Sequence, residues 1–267
     1  MVSLIISIYK NLPALDLILK SLQRQTNSDF EVIIAEDANE QATRNFIDEQ
    51  CGVYSFDIRH VSQDDHGFRK TKINNEAIKI ASGEKLVFID GDCVLHPRFI
   101  ETYHRNITEG GYYYGRRVML GPELTRKLYS TRNLKHVSLM NLIFSDSTHI
   151  QEAFYIPFRR SKLNPSREIW GCNWGVLKEY LIGINGFDED YTKPCFGEDL
   201  DVGWRLRKKY DLRLTSLKNR AIQYHLHHKM NWDGDIEAEG RVVFNQKKQT
   251  GHAKCLNGIR RILPQTP

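Results

Sequence analysis

Near-continuous apolar runs alternate with helical stripes over the first third of the chain. Val2-Ser3-Leu4-Ile5-Ile6-Ser7-Ile8 has the length and composition of a strand covered on both faces. Asn11 and Pro13 then mark a helix start, and Leu15, Ile18, Leu19 and Leu22 follow at helical spacing, so one face points at a sheet. Phe30 to Ala35 is a second buried strand, ending at Glu36-Asp37. Phe56 to Val61 is a weaker third. Ile73, Ala77, Ile80 and Ala81 form another helical stripe, which Ser82-Gly83 stops. Lys85 to Ile89 is a fourth strand and runs into Asp90-Gly91-Asp92.

This βαβαβαβ order predicts an α/β fold with a doubly wound, mainly parallel sheet and right-handed crossovers. Ligands bind such sheets just beyond the carboxyl ends of the strands. Two of the strands here end in acidic residues at that location.

The pattern weakens afterwards. Gly121 to Ser166 shows no clear alternation and is rich in Arg, Lys, Ser and Asn, which suggests helices and a loop over the site. Ile169 to Trp174 reads as a strand or turn, and Lys178 to Gly186 as a short helix ending in glycine. Glu198 to Tyr210 is a helix with Val202, Leu206 and Tyr210 on one side, and Ala221 to His227 is a short strand. The expected organisation is one domain over 1–232, with halves at 1–120 and 121–232. A basic, helical extension over 233–267 completes it.

Composition narrows the class. At 267 residues and 40% hydrophobic content the chain suits one large packed domain. A net charge of +5, with Lys and Arg mixed among nearly as many Asp and Glu, argues against nucleic acid as a partner. It remains compatible with anionic ligands or peripheral contact with a membrane. Five cysteines without a Cys-x-x-Cys pair suit free thiols in a reducing compartment. The apolar run at the N-terminus is too short for a signal peptide or a membrane span, so a cytoplasmic location is expected.

Three constellations can carry chemistry. Asp90-Gly91-Asp92 offers two carboxylates that can hold a hard cation against a diphosphate, although Asp-x-Asp alone is common in solvated turns. Glu198-Asp199 opens a helix, where the N-terminus favours the ionised carboxylate and a general base can operate; ordinary helix-start acidity looks the same. Gly197 before it allows close approach of a ligand to the backbone. His225, His227 and His228 can supply a metal ligand. On a strand, His225 and His227 share a face while His228 points away. Trp170 and Trp174 flank Gly171-Cys172-Asn173, and sugars stack on such rings, although packing is the ordinary role of tryptophan.

Taken together these segments resemble glycosyltransferase family 2, of the inverting GT-A fold. The matching text is Ser3 to Tyr9, Glu31 to Asp37, Gly67-Phe68-Arg69-Lys70-Thr71-Lys72-Ile73-Asn74-Asn75 and Phe88 to Asp92, then Gly171 to Trp174, Asn185 to Asp188 and Phe196 to Asp201. Coverage runs from about residue 2 to 232 with a gap in the middle. The part from Gly171 to Arg207 looks like chondroitin-polymerase-type enzymes and beta-1,4-galactosyltransferases.

The resemblance implies a UDP-sugar donor, a saccharide or glycolipid acceptor, and a divalent metal, with Mn2+ favoured and Mg2+ open. By position, Ile8, Tyr9 and Asp37 would frame the base pocket, and Phe68 with Lys70 or Arg69 would contact the uridine diphosphate. Asp90 would meet the ribose or a metal-bound water, and Asp92 and His225 would ligate the metal. Glu198 would hold sugar or acceptor and Asp199 would be the catalytic base. Trp170, Gly171, Asn173, Trp174 and Gly197 would lie on the acceptor or sugar side. Family members usually carry Asp-Asp where this chain has Glu36-Asp37. The Gln-x-x-Arg-Trp signature of processive members is missing, which implies addition of one sugar; the galactosyltransferase-like C-terminal part implies galactose or N-acetylgalactosamine, with glucose still open. Two other readings compete. A nucleotidyltransferase would need a glycine-rich phosphate loop after the first strand, and Ser7 to Asn11 contains no glycine. A non-catalytic carbohydrate-binding or scaffold protein would show a damaged base or metal set.

Overall fold

The computed structural model describes residues 1–163, 169, 171–194, 196–229 and 234–262. The chain begins with β1 (Val2–Ile8), α1 (Leu12–Leu22), β2 (Phe30–Glu36), α2 (Gln41–Gln50), β3 (Ile58–Ser62), α3 (Lys70–Ile80) and β4 (Lys85–Asp90). Strand β1 lies between β2 and β4, parallel to both, with Ile8 opposite Glu36 and Ser7 opposite Asp90. Three strand ends therefore stop side by side. All of β1 and β2 is buried apart from partial exposure of Ser7, which is why these strands read as unbroken apolar runs.

The helices follow from local signals. Asn11 caps α1 by accepting the Ala14 N–H at 3.3 Å, and Pro13 sits in the first turn. Leu15, Ile18, Leu19 and Leu22 of α1 pack on one face of the sheet with Val32 and Ile34. Helix α3 covers the opposite face through Ile73, Ala77 and Ile78.

Onward, the chain forms β5 (Cys93–Leu95), α4 (Phe99–Asn106), β6 (Gly111–Tyr114), β7 (Arg116–Met119), α5 (Pro122–Thr131), α6 (Leu139–Ile143) and β8 (Lys162–Leu163). Then come β9 (Asn173–Leu177), α7 (Lys178–Gly183), α8 (Glu198–Tyr210), β10 (Arg213–Ser216), β11 (Ile222–His225) and α9 (Gly234–Thr250). The large sheet has the order β3-β2-β1-β4-β9-β6-β10-β8, with β9 antiparallel to both β4 and β6 and β8 antiparallel to β10. The sheet is mixed around a parallel core.

A second sheet, β5-β11-β7, was not foreseen from the periodicity. Its strands are only three or four residues long, too short to establish a period. Gly115 carries the chain from β6 into β7, and a Cβ there would fall 2.2 Å from the Ala221 carbonyl oxygen. Helix α1 is clamped between the two sheets: Ala14 and Leu17 on its other side pack with Val94, Val118 and Ile222.

Some expected boundaries shift. The strand near residue 170 starts at Asn173, where it pairs with Ile89, and ends at Leu177 opposite Lys85, so the length of β4 sets its limits. Helix α7 stops at Gly183, and Asn185 and Gly186 take positive φ to turn the chain. The segment after α9 folds back on that turn: Asn185 Nδ2 donates to the carbonyls of Cys255 at 2.9 Å and Arg260 at 2.7 Å. Arg205 donates to the carbonyls of Ile184 and Gly186 at 2.8 Å while pairing with Asp201 at 2.6 Å. These two side chains are buried together, each 1% exposed, so either one left alone would be an uncompensated buried charge.

Candidate active site

A cavity of about 660 Å³ opens at the carboxyl ends of β1, β2 and β4. Ser7, Ile8 and Tyr9 form one wall, and Asp90-Gly91-Asp92 another. A side chain at Gly91 would fall 2.7 Å from Ile8 Cγ2 and 2.8 Å from the Ser7 carbonyl, so glycine lets the two strand ends close up. The acidic pair after β2 divides its work. Glu36 is fully buried and bonds His60 at 2.9 Å, whereas Asp37 lines the cavity. Asp37 also accepts Gln63 Nε2 and the Arg69 backbone N–H, both at 2.7 Å, and so pins the loop that delivers Phe68 and Lys70. Tyr9 is 56% exposed at the rim and donates its hydroxyl to Asp65 at 3.0 Å.

Lys70 enters the cavity and its ammonium donates to Asp90 Oδ1 at 2.7 Å. Burial works against its charge, but Asp90, Asp199 and Glu198 together outweigh burial and hold its pKa above the ordinary value. Of the two cations expected here, only Lys70 lines the cavity. The Arg69 side chain bends to the Asp64 carbonyl instead, and its backbone is what touches Asp37.

Asp92 forms the opposite corner with two histidines. Its Oδ2 lies 3.4 Å from His225 Nε2 and 3.1 Å from His228 Nε2, and three donor atoms of this trio lie within 4.8 Å of one another. The register explains the meeting. His225 pairs with Cys93 in the small sheet, and the Asp92 carbonyl accepts the Leu226 N–H at 2.8 Å. Strand β11 ends at His225, so alternation no longer governs the next residues. His228 turns toward Asp92, while the exposed His227 stays out of the group, its backbone N–H held by Thr125 Oγ1 at 2.9 Å. The expected pairing of His225 with His227 on one face is thus corrected.

Burial opposes the charge on Asp92, but hydrogen bonds from His225 and His228 outweigh it and hold the carboxyl well below the usual range. His225 Nδ1 is buried with no hydrogen-bond partner among the described residues. A carboxylate and two imidazoles converging in this way fit a divalent cation of borderline character, for which neutral imidazole is a good ligand.

The start of α8 acts on the cavity from beside the Lys70–Asp90 pair. Gly197 has φ +122°, and a Cβ there would fall 2.4 Å from Tyr191 Cε1. Glu198 is buried, and Asp199 Oδ2 accepts the Gly171 N–H at 2.6 Å. Burial raises the pKa of both carboxyls, and the charge of Glu198 raises Asp199 further. Neither residue lines the cavity; both reach its charges through Lys70 and Asp90. An acid that holds its proton weakly above the ordinary carboxylate range is suited to exchange one with a hydroxyl.

The expected sugar-side residues separate. Trp174 is fully buried, stacked on Phe88 with ring centroids 4.7 Å apart and edge-on to Phe187, and it cannot reach a ligand. Asn173 is buried too. It accepts the Tyr103 hydroxyl at 2.6 Å and donates to the Arg116 and Ala221 carbonyls, tying the two sheets together. Trp170 lies outside the described residues. Gly171 is placed against the Asp199 carboxylate, and Gly197 gives α8 its entry angle. Among the cavity residues with chemistry to offer, His228 had been turned away from His225 by strand alternation, and Arg117 lies on β7, a strand of four residues that the periodicity did not single out.

Comparison with known proteins now adds the family. The profile of "Glycosyl transferase family 2" matches residues 3–182. Validoxylamine A glucosyltransferase of Streptomyces hygroscopicus subsp. jinggangensis is 26% identical over 229 residues, covering 77% of this chain and 51% of that protein. The chain therefore spans about half the length of the curated relatives it matches first. Among solved structures, the mannosyltransferase PcManGT from Pyrobaculum calidifontis, in complex with GDP-Man and Mn2+, is similar with a TM-score of 0.61 at 15% identity, covering 93% of this chain and 64% of that one. S. aureus TarS 1-349 in complex with UDP-GlcNAc gives 0.58 at 16% identity, over 86% and 59%. Likeness at that identity establishes the GT-A fold alone, whereas the profile covers most of the chain: it belongs to glycosyl transferase family 2.

Proposed function

We propose that the protein transfers one sugar from a UDP-sugar to a hydroxyl of a saccharide or glycolipid acceptor, with inversion at the anomeric carbon. One observation carries this reading: a single cavity at the strand ends has a carboxylate with two imidazoles at one corner, and a carboxyl with a raised pKa beside it across the Lys70–Asp90 pair. The nucleotide would sit against Ile8, Tyr9, Asp37 and Phe68, with Lys70 and Asp90 near the diphosphate and ribose.

Asp92, His225 and His228 would hold a divalent cation, and Mn2+ is favoured over Mg2+ because the set mixes carboxylate and imidazole. When bound, such an ion offsets negative charge on the departing diphosphate. Asp199 would accept the proton of the acceptor hydroxyl as its oxygen attacks the anomeric carbon, and Glu198 would orient sugar or acceptor. Gly171 holds Asp199 by its N–H, so the base is oriented before substrate arrives. The galactosyltransferase-like segment 171–207 favours galactose or N-acetylgalactosamine, and assembly of a surface polysaccharide or lipopolysaccharide is the setting that accords with an acceptor of this class.

A donor screen tests the reading. UDP release from each UDP-sugar would be followed with Mn2+ or with chelator, and UDP binding measured by calorimetry in the same samples. Release from one donor should require the metal. Asp199→Asn should keep UDP binding and lose about 10³-fold in turnover, while Asp92→Ala should lose metal-dependent binding. If UDP fails to bind in the presence of Mn2+, the reading is wrong.

A further inference from the structure

The segment from α5 to β8, residues 122–163, has a surface unlike the rest of the molecule. Leu139, Met140, Ile143 and Phe144 stand on the outward side of α6 at spacings of one and four residues, 41% to 81% exposed, while Leu142 alone points inward. Phe154, Ile156, Phe158 and Leu163 follow on the next stretch, and Phe158 is 95% exposed. Leu139 and Phe154 line a shared groove of about 420 Å³, so the two stretches meet there. Isolated exposed leucines are ordinary, but a contiguous group of large side chains marks a contact surface.

Charge on the same segment is equally uneven. It carries Arg126, Lys127, Arg132, Lys135, Arg159, Arg160 and Lys162 against Glu123, Asp146 and Glu152, a surplus of four, when the whole chain carries +5. Glu152 is buried and paired with Arg116 and Lys218, so it does not offset the outer cations. Arg126, Lys127, Lys135, Arg160 and Lys162 are exposed and form no ion pair among the described residues.

Bulky apolar side chains and unpaired cations exposed on one segment match the boundary of an anionic lipid bilayer, with acyl chains for the former and headgroup phosphates for the latter. No described helix is long and apolar enough to cross a membrane, so contact would be from one side. We propose that residues 122–163 form a docking surface for an anionic membrane. The segment is fixed to the small sheet that carries His225. Met119 and Thr148 exchange backbone hydrogen bonds at 3.1 and 2.8 Å, and the Ile156 N–H donates to the Asn219 carbonyl at 2.8 Å. Docking therefore sets the distance and tilt of the cavity relative to the bilayer.

Vesicle sedimentation with the full chain tests this surface without requiring any sugar transfer. Vesicles of phosphatidylcholine would be compared with vesicles of phosphatidylcholine and phosphatidylglycerol at low and high salt. Binding to the anionic vesicles should exceed binding to neutral ones by about ten-fold or more and weaken with salt. The double variants Phe144→Ser/Phe158→Ser and Arg160→Glu/Lys162→Glu should each reduce it by about ten-fold. These side chains are so exposed that melting temperature and UDP binding should stay at the wild-type values. No binding to either vesicle overturns the proposal, and so does equal binding to both with the charge variant unaffected. A dimer in sedimentation velocity that Phe144→Ser/Phe158→Ser dissociates, in protein that ignores vesicles, would assign the surface to a second copy of the chain instead.

Discussion

Two carboxyl groups, one lining the cavity and one beside its Lys70–Asp90 pair, are held in opposite states. At the Asp92 corner, two histidines supply hydrogen bonds that outweigh burial and keep the group ionised far below its ordinary range. At the Asp199 corner, burial dominates, Glu198 adds a like charge, and the group's pKa rises. Both are aspartates within two residues of a glycine, Asp92 after Gly91 and Asp199 after Gly197, so residue type does not explain the difference. Neighbours do. A group surrounded by donors is fit to stay charged and hold a cation, whereas one deprived of water is fit to trade a proton.

If that division is correct, damage to one corner should leave the signature of the other intact. The largest effect among subtle changes is expected from Gly171→Ala. Its Cβ would fall 2.5 Å from Asp199 Oδ2, so the base must move although nothing in the metal corner is touched. Turnover should fall about 100-fold, the scale of a displacement near 1 Å at a reacting group, with UDP binding and its metal dependence unchanged. Steady-state kinetics beside calorimetry would read both; a parallel loss of UDP affinity would show that the corners are not separable.

A smaller effect probes the other corner. His228→Ala removes one imidazole of the trio and should weaken Mn2+ binding by about ten-fold or more, whereas His227→Ala should leave it unaltered. Titration of metal against UDP binding distinguishes the two. Equal losses would return His227 to the site.

The two corners also differ in how far they could be read from the chain alone. Ser7 to Tyr9, Asp37 and Asp90 stand at the ends of long buried strands, whose apolar runs and intervening helical stripes announce a parallel sheet and hence a site at its carboxyl edge. The floor of the cavity was legible for that physical reason. His228 and Arg117 were not, because they sit in or beside strands of four residues, where period-2 reasoning has nothing to average over. Strand alternation extrapolated past His225 turned His228 away from it, whereas His228 meets Asp92 beside His225. Trp174 misled in another way: an aromatic beside a glycine-rich turn looks like a sugar platform, but β9 runs between β4 and β6 and both faces of that position are interior. Gly171, expected on the acceptor or sugar side, is the backbone donor to Asp199, a role that no sequence signal announces.

The smallest expected effect is the most specific to the contrast. Asp199 is faced by Glu198 on its own helix, by Lys70 on α3, by Asp90 at the end of β4 and by the Gly171 N–H. Burial is the largest cause of its raised pKa and the Glu198 charge is the next. A base works only when deprotonated, so kcat/KM should climb with pH through this raised value. Glu198→Gln removes the neighbouring negative charge and keeps the shape. The ionised form of Asp199 then becomes easier to reach, and the ascending limb should move to lower pH even where the maximal rate drops through lost contacts of Glu198 with substrate. Lys70→Gln should move it the opposite way, because the ammonium favours the ionised carboxylate. Asp92 lies outside this set of neighbours, so the metal dependence measured at the plateau should be the same in wild type and Glu198→Gln. A limb that stays in place in both variants would mean that the proton leaves through some group other than Asp199.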